Sequence, residues 1–304
     1  MPPRNLLDVD DLGPQELVAV LDRAVAFRDA LPPRDLLAGV PVLNLFFEAS
    51  TRTATSFTLA EQRVGADVIS FAPGASSLGK GETIADTALT LRGIGVKVIV
   101  VRHTESGFAR RLADAFDGHV INAGDGTHAH PTQALLDLMT LRQEFGRFAN
   151  LRVAIVGDIL HSRVARSNIV GMRMLGIDVV LVGPATLLPH SFGAHGVRIE
   201  RDLDAVLPHV DAVMMLRIQR ERIAGGLLPT LDDYTQRYQL NRTRLRALRS
   251  DAVILHPGPY NRDVELTDDV LADPRSRYVA QVHNGVFVRM AVLDTLVNGV
   301  PVAA

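Results

Sequence analysis

Two apolar rhythms alternate along the chain. Near-continuous hydrophobic runs occupy 40–47 (VPVLNLFF), 66–71 (ADVISF), 96–101 (VKVIVV), 151–156 (LRVAIV), 178–182 (DVVLV), 211–216 (DAVMML) and 252–255 (AVIL). Short unbroken runs of this kind predict strands buried on both faces. Between them, apolar residues recur at helical spacing over about 14–31, 52–64, 82–94, 107–116, 131–146 and 162–175. Gly65, Gly95, Gly146 and Gly176 fall where a helix should stop and a strand begin. Strand–helix alternation with short connections predicts parallel βαβ units. The expected fold is α/β with two domains, each a parallel β-sheet flanked by helices. The seam is expected near 131–150, where a long helical pattern ends in QEFGRFAN before a fresh strand. The tail at 284–299 (NGVFVRMAVLDTLVNG) has helical spacing and docks on one of the two halves; its pattern does not say which.

Composition narrows the classes. The 304 residues are 47% hydrophobic and 22% charged, and the net charge is −2, so nothing marks a nucleic-acid or polybasic membrane binder. No apolar run approaches the roughly 18 residues of a membrane helix, and the first residues lack the apolar centre of a secretion signal; a cytoplasmic protein is expected. Cysteine is absent, which excludes disulfides, thiolate metal sites and cysteine nucleophiles. Of the 32 basic residues, only Lys80 and Lys97 are lysines. A lysine in a polar loop is therefore unusual in this chain, and Lys80 is one.

In open parallel sheets ligands bind at the carboxyl ends of the strands, so the segment after each strand carries the chemistry. Ser50, Thr51, Arg52 and Thr53 follow the first strand at an expected helix start. An ordinary cap needs one hydroxyl; three hydroxyls and a guanidinium beside unpaired N–H groups suit an anion, most naturally phosphate. The second strand leads into PGASSLGKGET at 73–83, a glycine-rich loop with Ser77 and Lys80 as polar heads. Arg102 ends the third strand. In INAGDGTHAHPTQALLDL at 121–138, His130 precedes Pro131, which suits the first helical position, and Gln133 lies one turn in. His128 and His130 lack a third ligand at metal spacing, so His130 is read as a donor to a polarised carbonyl. After the fourth strand only Gly157 of a dinucleotide fingerprint is present, which argues against a nicotinamide cofactor. Arg163 and Arg166 stand near the next helix start, one for the cleft and the other for the solvated face. Arg217 and Gln219 share one side after the strand at 211–216. The turn around Gly258 and Pro259 in LHPGPY has few N–H groups and presents carbonyls, acceptors for an NH2 group. Arginines, hydroxyls and an imidazole with no carboxylate pair or nucleophile make a site that positions and polarises anionic substrates.

The ordered set S-T-R-T at 50–53, S-L-G-K-G-E at 77–82, R-H at 102–103, H-P-T-Q at 130–133, Arg163, R-x-Q at 217–219 and H-P-x-P at 256–259 resembles the carbamoyltransferase family over essentially the whole chain. Any one string alone is weak; the combination is specific. The resemblance implies a carbamoyl-phosphate domain at 1–133 joined by a C-terminal helix at about 284–304, and an amino-acid domain at 134–283. It implies that Ser50, Thr51, Arg52 and Thr53 hold phosphate. Arg102, Thr53 and His130 would be directed at the carbonyl oxygen. Gln133 and the carbonyls around Gly258 and Pro259 would receive the carbamoyl NH2. Arg163, Arg217 and Gln219 would grip the carboxylates of L-aspartate. Ser77 and Lys80 would reach a neighbouring subunit's site, so the smallest active unit would be a homotrimer. The catalytic set would be Arg52, Thr53, Lys80, Arg102 and His130. The implied reaction gives N-carbamoyl-L-aspartate and phosphate, a step of pyrimidine biosynthesis, without metal, cofactor or covalent intermediate.

Ala54 and Thr58 depart from the family's frequent Arg and Glu in S-T-R-T-R-x-S-F-E. Within the family the rival acceptor is ornithine, whose branch carries cysteine in H-C-L-P; this chain has H-P-G-P, and two arginines suit a cationic acceptor poorly. A nucleotide-binding oxidoreductase and a non-catalytic phosphate-binding relative are the rivals from other classes. Regulatory chains or a dihydroorotase as larger-assembly partners are left open.

Overall fold

The computed structural model describes residues 4–71, 83–218 and 230–299. The chain divides into two compact units, 1–139 with 282–304, and 140–281.

The first unit opens with α1 (Pro14–Asp29), then alternates β1 (Pro41–Phe46), α2 (Thr51–Arg63), β2 (Asp67–Phe71), α3 (Ile84–Ile94), β3 (Val98–His103), α4 (Phe108–Ala115) and β4 (His119–Asp125). The four strands are parallel in the order β2-β1-β3-β4. β1 and β3 are buried almost throughout, which accounts for their unbroken apolar runs. Helix α5 (Pro131–Phe145) runs across the division into the second unit. The C-terminal helix α11 (Tyr278–Asn298) returns to the first unit, where Arg23 Nε on α1 donates to Asp294 Oδ2 at 2.7 Å.

The second unit holds β5 (Arg152–Val156), α6 (Arg163–Met174), β6 (Asp178–Val182), β7 (Arg198–Glu200), α7 (Leu203–Val206), β8 (Ala212–Met215), α8 (Leu231–Tyr238), α9 (Arg242–Ala247), β9 (Val253–Leu255) and α10 (Asp268–Ala272). Its five strands are parallel in the order β7-β6-β5-β8-β9. One core joins the sheet to its helices through Val156, Val182, Leu207, Met215, Tyr234 and Ile254, all buried.

The seven expected strands are present. Two more, β4 and β7, are not predicted by the apolar pattern. β4 reads HVINAGD, with Asn, Gly and Asp residues that are depleted in strands. Its polar groups are held internally: Asn122 Nδ2 donates to Leu7 O and to Asp125 Oδ1, both at 2.9 Å. β7 is a three-residue edge strand with exposed ends and hence no apolar signature.

Candidate active site

In the first unit, the sheet order puts the carboxyl ends of β1, β3 and β4 side by side. Ser50 caps α2: its hydroxyl accepts from the Thr53 N–H at 3.3 Å. Thr51 and Arg52 are exposed at the helix start, and Thr53 is buried. The start of α2 offers amide donors and the positive end of its dipole, and Arg52 belongs to that turn, which suits a phosphate.

Arg102 lies next to this helix start because Phe46 pairs with it across β1 and β3. The Phe47 N–H donates to the Arg102 carbonyl at 2.8 Å. The guanidinium is buried and oriented from two sides: Nη1 donates to Ala123 O at 3.2 Å, and Nη2 to Glu48 Oε1 at 2.7 Å. Its neighbour His103 is structural. It stacks on Phe108 with ring centroids 3.9 Å apart, and its Nδ1 accepts the Glu105 N–H at 2.9 Å.

After β4, the Asp125 carboxylate gathers the loop. It accepts from the Gly107 N–H at 2.7 Å and the Ala129 N–H at 3.1 Å, and the His128 ring nitrogen Nδ1 lies 3.2 Å from it. That loop delivers His130 to the first turn of α5, with Pro131 in the first helical position as expected. His130 and Gln133 are both buried. Gln133 Nε2 donates to Asp137 Oδ1 at 2.9 Å.

In the second unit, β5, β8 and β9 are neighbours, and their ends carry the other expected residues. Gly157 closes β5 with φ +127°, a conformation natural to glycine. Asp158 then accepts from the His161 N–H at 3.1 Å, and Ser162 caps α6 by accepting the Ala165 N–H at 3.1 Å. Arg163 opens α6 with its side chain buried. Arg166 does not lie on a solvated face, contrary to one reading of the pattern. It is half-buried, stands over the Phe192 ring at 5.0 Å and donates to Leu160 O at 3.2 Å; burial lowers its pKa.

Arg217 follows β8, half-buried between the buried Leu216 and Ile218. The Gly258–Pro259 peptide is cis. The Gly258 N–H is taken up by His256 Nδ1 at 2.8 Å, while the His256 N–H is taken up by Gln281 Oε1 at 2.9 Å. With that donor occupied and prolines on either side, the turn offers carbonyl oxygens.

Each unit thus carries its own set at strand ends and helix starts: Ser50–Thr53, Arg102, His130 and Gln133 in the first, and Arg163, Arg217 and Gly258–Pro259 in the second. Ser77, Lys80 and Gln219 lie outside the described residues. Sequence reading missed Glu48, Asp125 and Asp137. Asp137 carried a signal: an acid one turn after Gln133, inside the apolar run ALLDLM. Glu48 and Asp125 looked like ordinary loop carboxylates.

Two parallel α/β sheets with guanidinium, hydroxyl and imidazole groups at their strand ends define a class of protein that grips small anionic molecules. The first part of the chain, residues 4–143, matches the family model described as aspartate/ornithine carbamoyltransferase, carbamoyl-P binding domain. Residues 149–296 match the Asp/Orn binding domain of the same description. The chain belongs to the aspartate/ornithine carbamoyltransferase family. It is 51% identical over 297 residues to the aspartate carbamoyltransferase catalytic subunit of Granulibacter bethesdensis, covering 96% of this chain and 94% of that one. It is 50% identical over 306 residues to the protein of the same name from Salinispora tropica, covering 97% and 98%. Among solved structures, aspartate transcarbamoylase from Trypanosoma cruzi in complex with N-(phosphonacetyl)-L-aspartic acid superposes with a TM-score of 0.88 at 32% identity, over 97% of this chain and 96% of that one. Ornithine carbamoyltransferase from Thermus thermophilus gives 0.86 at 30%, over 97% and 99%. The fold is therefore common to both branches, and identity near one half is to proteins of the aspartate branch.

Proposed function

We propose that this chain is an enzyme that transfers the carbamoyl group of carbamoyl phosphate to the amine of L-aspartate, giving N-carbamoyl-L-aspartate and phosphate. The observation that carries this reading is about 50% identity over nearly the full chain to catalytic subunits named for that reaction. The absence of cysteine, and with it the H-C-L-P signature of the ornithine branch, points the same way.

In this reading the first unit holds carbamoyl phosphate. Ser50, Thr51, Arg52 and Thr53 take the phosphate, aided by the α2 amide groups. Arg102, Thr53 and His130 donate to the carbonyl oxygen. The aspartate amine attacks the carbamoyl carbon, and this oxygen becomes negative in the transition state. Donors fixed on it then bind more strongly than in the ground state, and loss of one such donor costs about 10²–10³ in rate. The carbon–oxygen bond to phosphate breaks, and phosphate leaves into the cationic helix start. Gln133 and the carbonyls at Gly258 and Pro259 accept from the carbamoyl NH2. Arg163, Arg217 and Gln219 hold the two carboxylates of aspartate. Ser77 and Lys80 act in the neighbouring subunit's site, which makes the working unit a homotrimer in the cytoplasm. Among the described residues no helix is long and apolar enough to cross a membrane.

The test is a carbamoylation assay with purified protein and each acceptor in turn. Aspartate should be carbamoylated, with ornithine giving at most about a thousandth of its kcat/KM, the discrimination expected when an unmatched charge meets a cationic pocket. Equal turnover of both, or turnover of ornithine alone, would overturn the assignment.

A further inference from the structure

Helix α5 is buried along its first ten residues, and polar side chains there must be accounted for. Gln133 and Asp137 stand one turn apart on the same face, joined by a 2.9 Å hydrogen bond from Gln133 Nε2 to Asp137 Oδ1. Gln133 is 7% exposed and Asp137 fully buried. The direction of this bond follows from chemistry. An ionised carboxylate only accepts, so the amide must turn its NH2 toward Asp137. Its carbonyl oxygen then points the other way. Turning the amide over would set two oxygens against each other on one side and leave a donor on the other.

A carbamoyl NH2 only donates, because its lone pair is delocalised into the carbonyl. It needs an acceptor. We propose that Asp137 is a positioning residue that locks the Gln133 amide so that its carbonyl oxygen, not its NH2, meets the carbamoyl nitrogen. This rests on the assignment of Gln133 to that group in the reading above.

A carboxylate in a dry interior needs a counter-charge. Arg289 of α11, 3% exposed, supplies it. Burial pulls the Arg289 pKa down to about 9, the Arg102 charge acts in the same direction, and the Asp137 charge opposes both. Arg289 is further held by its own Gly285 carbonyl at 2.9 Å and by the Phe57 ring at 4.9 Å. The Arg289 charge thus acts on the same buried carboxylate that accepts from Gln133.

The test compares carbamoyl phosphate with acetyl phosphate, which carries a methyl where the former carries NH2. Their affinities are measured by calorimetric competition against inorganic phosphate. The wild-type protein should favour carbamoyl phosphate by roughly ten- to hundredfold, the usual difference between a paired and an unpaired buried acceptor. Gln133→Ala should bring that ratio toward one. Asp137→Asn should do the same while phosphate itself binds as in the wild type, because an asparagine can donate or accept and no longer dictates the amide's direction. The swap Gln133→Glu with Asp137→Asn should recover most of the ratio. It keeps each side chain's size and the pair's single negative charge, and the introduced glutamate offers only acceptors. A wild-type ratio in Asp137→Asn, with the ratio lost in Gln133→Ala, overturns the role of Asp137 and leaves the assignment of Gln133 standing. A wild-type ratio in Gln133→Ala overturns both. If Asp137→Asn does not fold, the swap decides: a recovered ratio supports the lock and a lost one refutes it.

Discussion

Glu61 on α2 shows how far one residue can depart from its pattern. It sits in a polar stretch of sequence, yet it is fully buried, and Asn44 Nδ2 on β1 donates to its Oε2 at 2.6 Å. Burial raises its pKa from 4.5 to about 7, with the Asn44 hydrogen bond opposing. The unfolded chain gives up this proton near 4.5, the folded chain only near 7. Unfolding is therefore favoured progressively as pH rises between those values, and the effect levels off above the upper one. A difference of that size amounts to about 3 kcal/mol. Protonation also fits the geometry: Glu61 Oε1 and Asn44 Oδ1 both lack hydrogen-bond partners, and a protonated carboxyl supplies a donor. Glu61→Gln keeps an acceptor for Asn44 and removes the titration. Urea unfolding at pH 5 and pH 8 should show a smaller loss of stability at the higher pH in the variant than in the wild type. Equal losses would place the titration elsewhere.

At the scale of elements, the turns that end strands matter as much as the strands. Gly157 passes the chain from β5 to the loop that presents Arg163. A Cβ there would lie 3.0 Å from Tyr234 Oη and 3.2 Å from the Leu216 carbonyl, at a φ that L-residues rarely adopt. Gly157→Ala should lower the unfolding free energy by about 1–3 kcal/mol, the usual cost of such strain. Because Arg163 moves with the turn, the KM for aspartate should rise more than kcat falls. Thermal denaturation and steady-state kinetics on the same preparation check both halves. An unchanged KM would separate the turn from aspartate binding. The helices teach the complementary lesson. α5 carries apolar residues at helical spacing, so its pattern announces a buried face, but only the fold shows that Gln133 and Asp137 hold each other.

At the scale of the whole molecule, the residues proposed for catalysis belong to the first unit and those proposed for aspartate to the second, and Lys80 would come from a second copy. This has an arithmetic consequence. If a site takes His130 from one chain and Lys80 from its neighbour, an equal mixture of inactive Lys80→Ala and His130→Ala chains reconstitutes an intact site whenever the right two chains adjoin. Random assembly of trimers gives about a quarter of wild-type activity. Activity measured after confirmed subunit exchange tests this. A mixture as inactive as its parents would confine each site to one chain.

Much of the protein was legible in its sequence. Unbroken β-rich runs and helical spacing are local properties, so they announced a parallel α/β chain and seven of its strands. Strand ends are where parallel sheets bind ligands, so the segments after the runs, together with the loop at 121–130, offered Ser50–Thr53, Arg102, His130, Gln133, Arg163, Arg217 and Gly258 as candidates. What the tertiary structure alone decided is non-local. β4 exists because Leu7 and Asp125 satisfy Asn122, not because its residues favour strands. The burial of Glu61, the clamp of Glu48 on Arg102 and the bond from Gln133 to Asp137 depend on partners brought together by packing. A side chain's chemistry is written in its own atoms. Its charge state and direction are set by the neighbours that exclude water from it, and those are known only once the chain has folded.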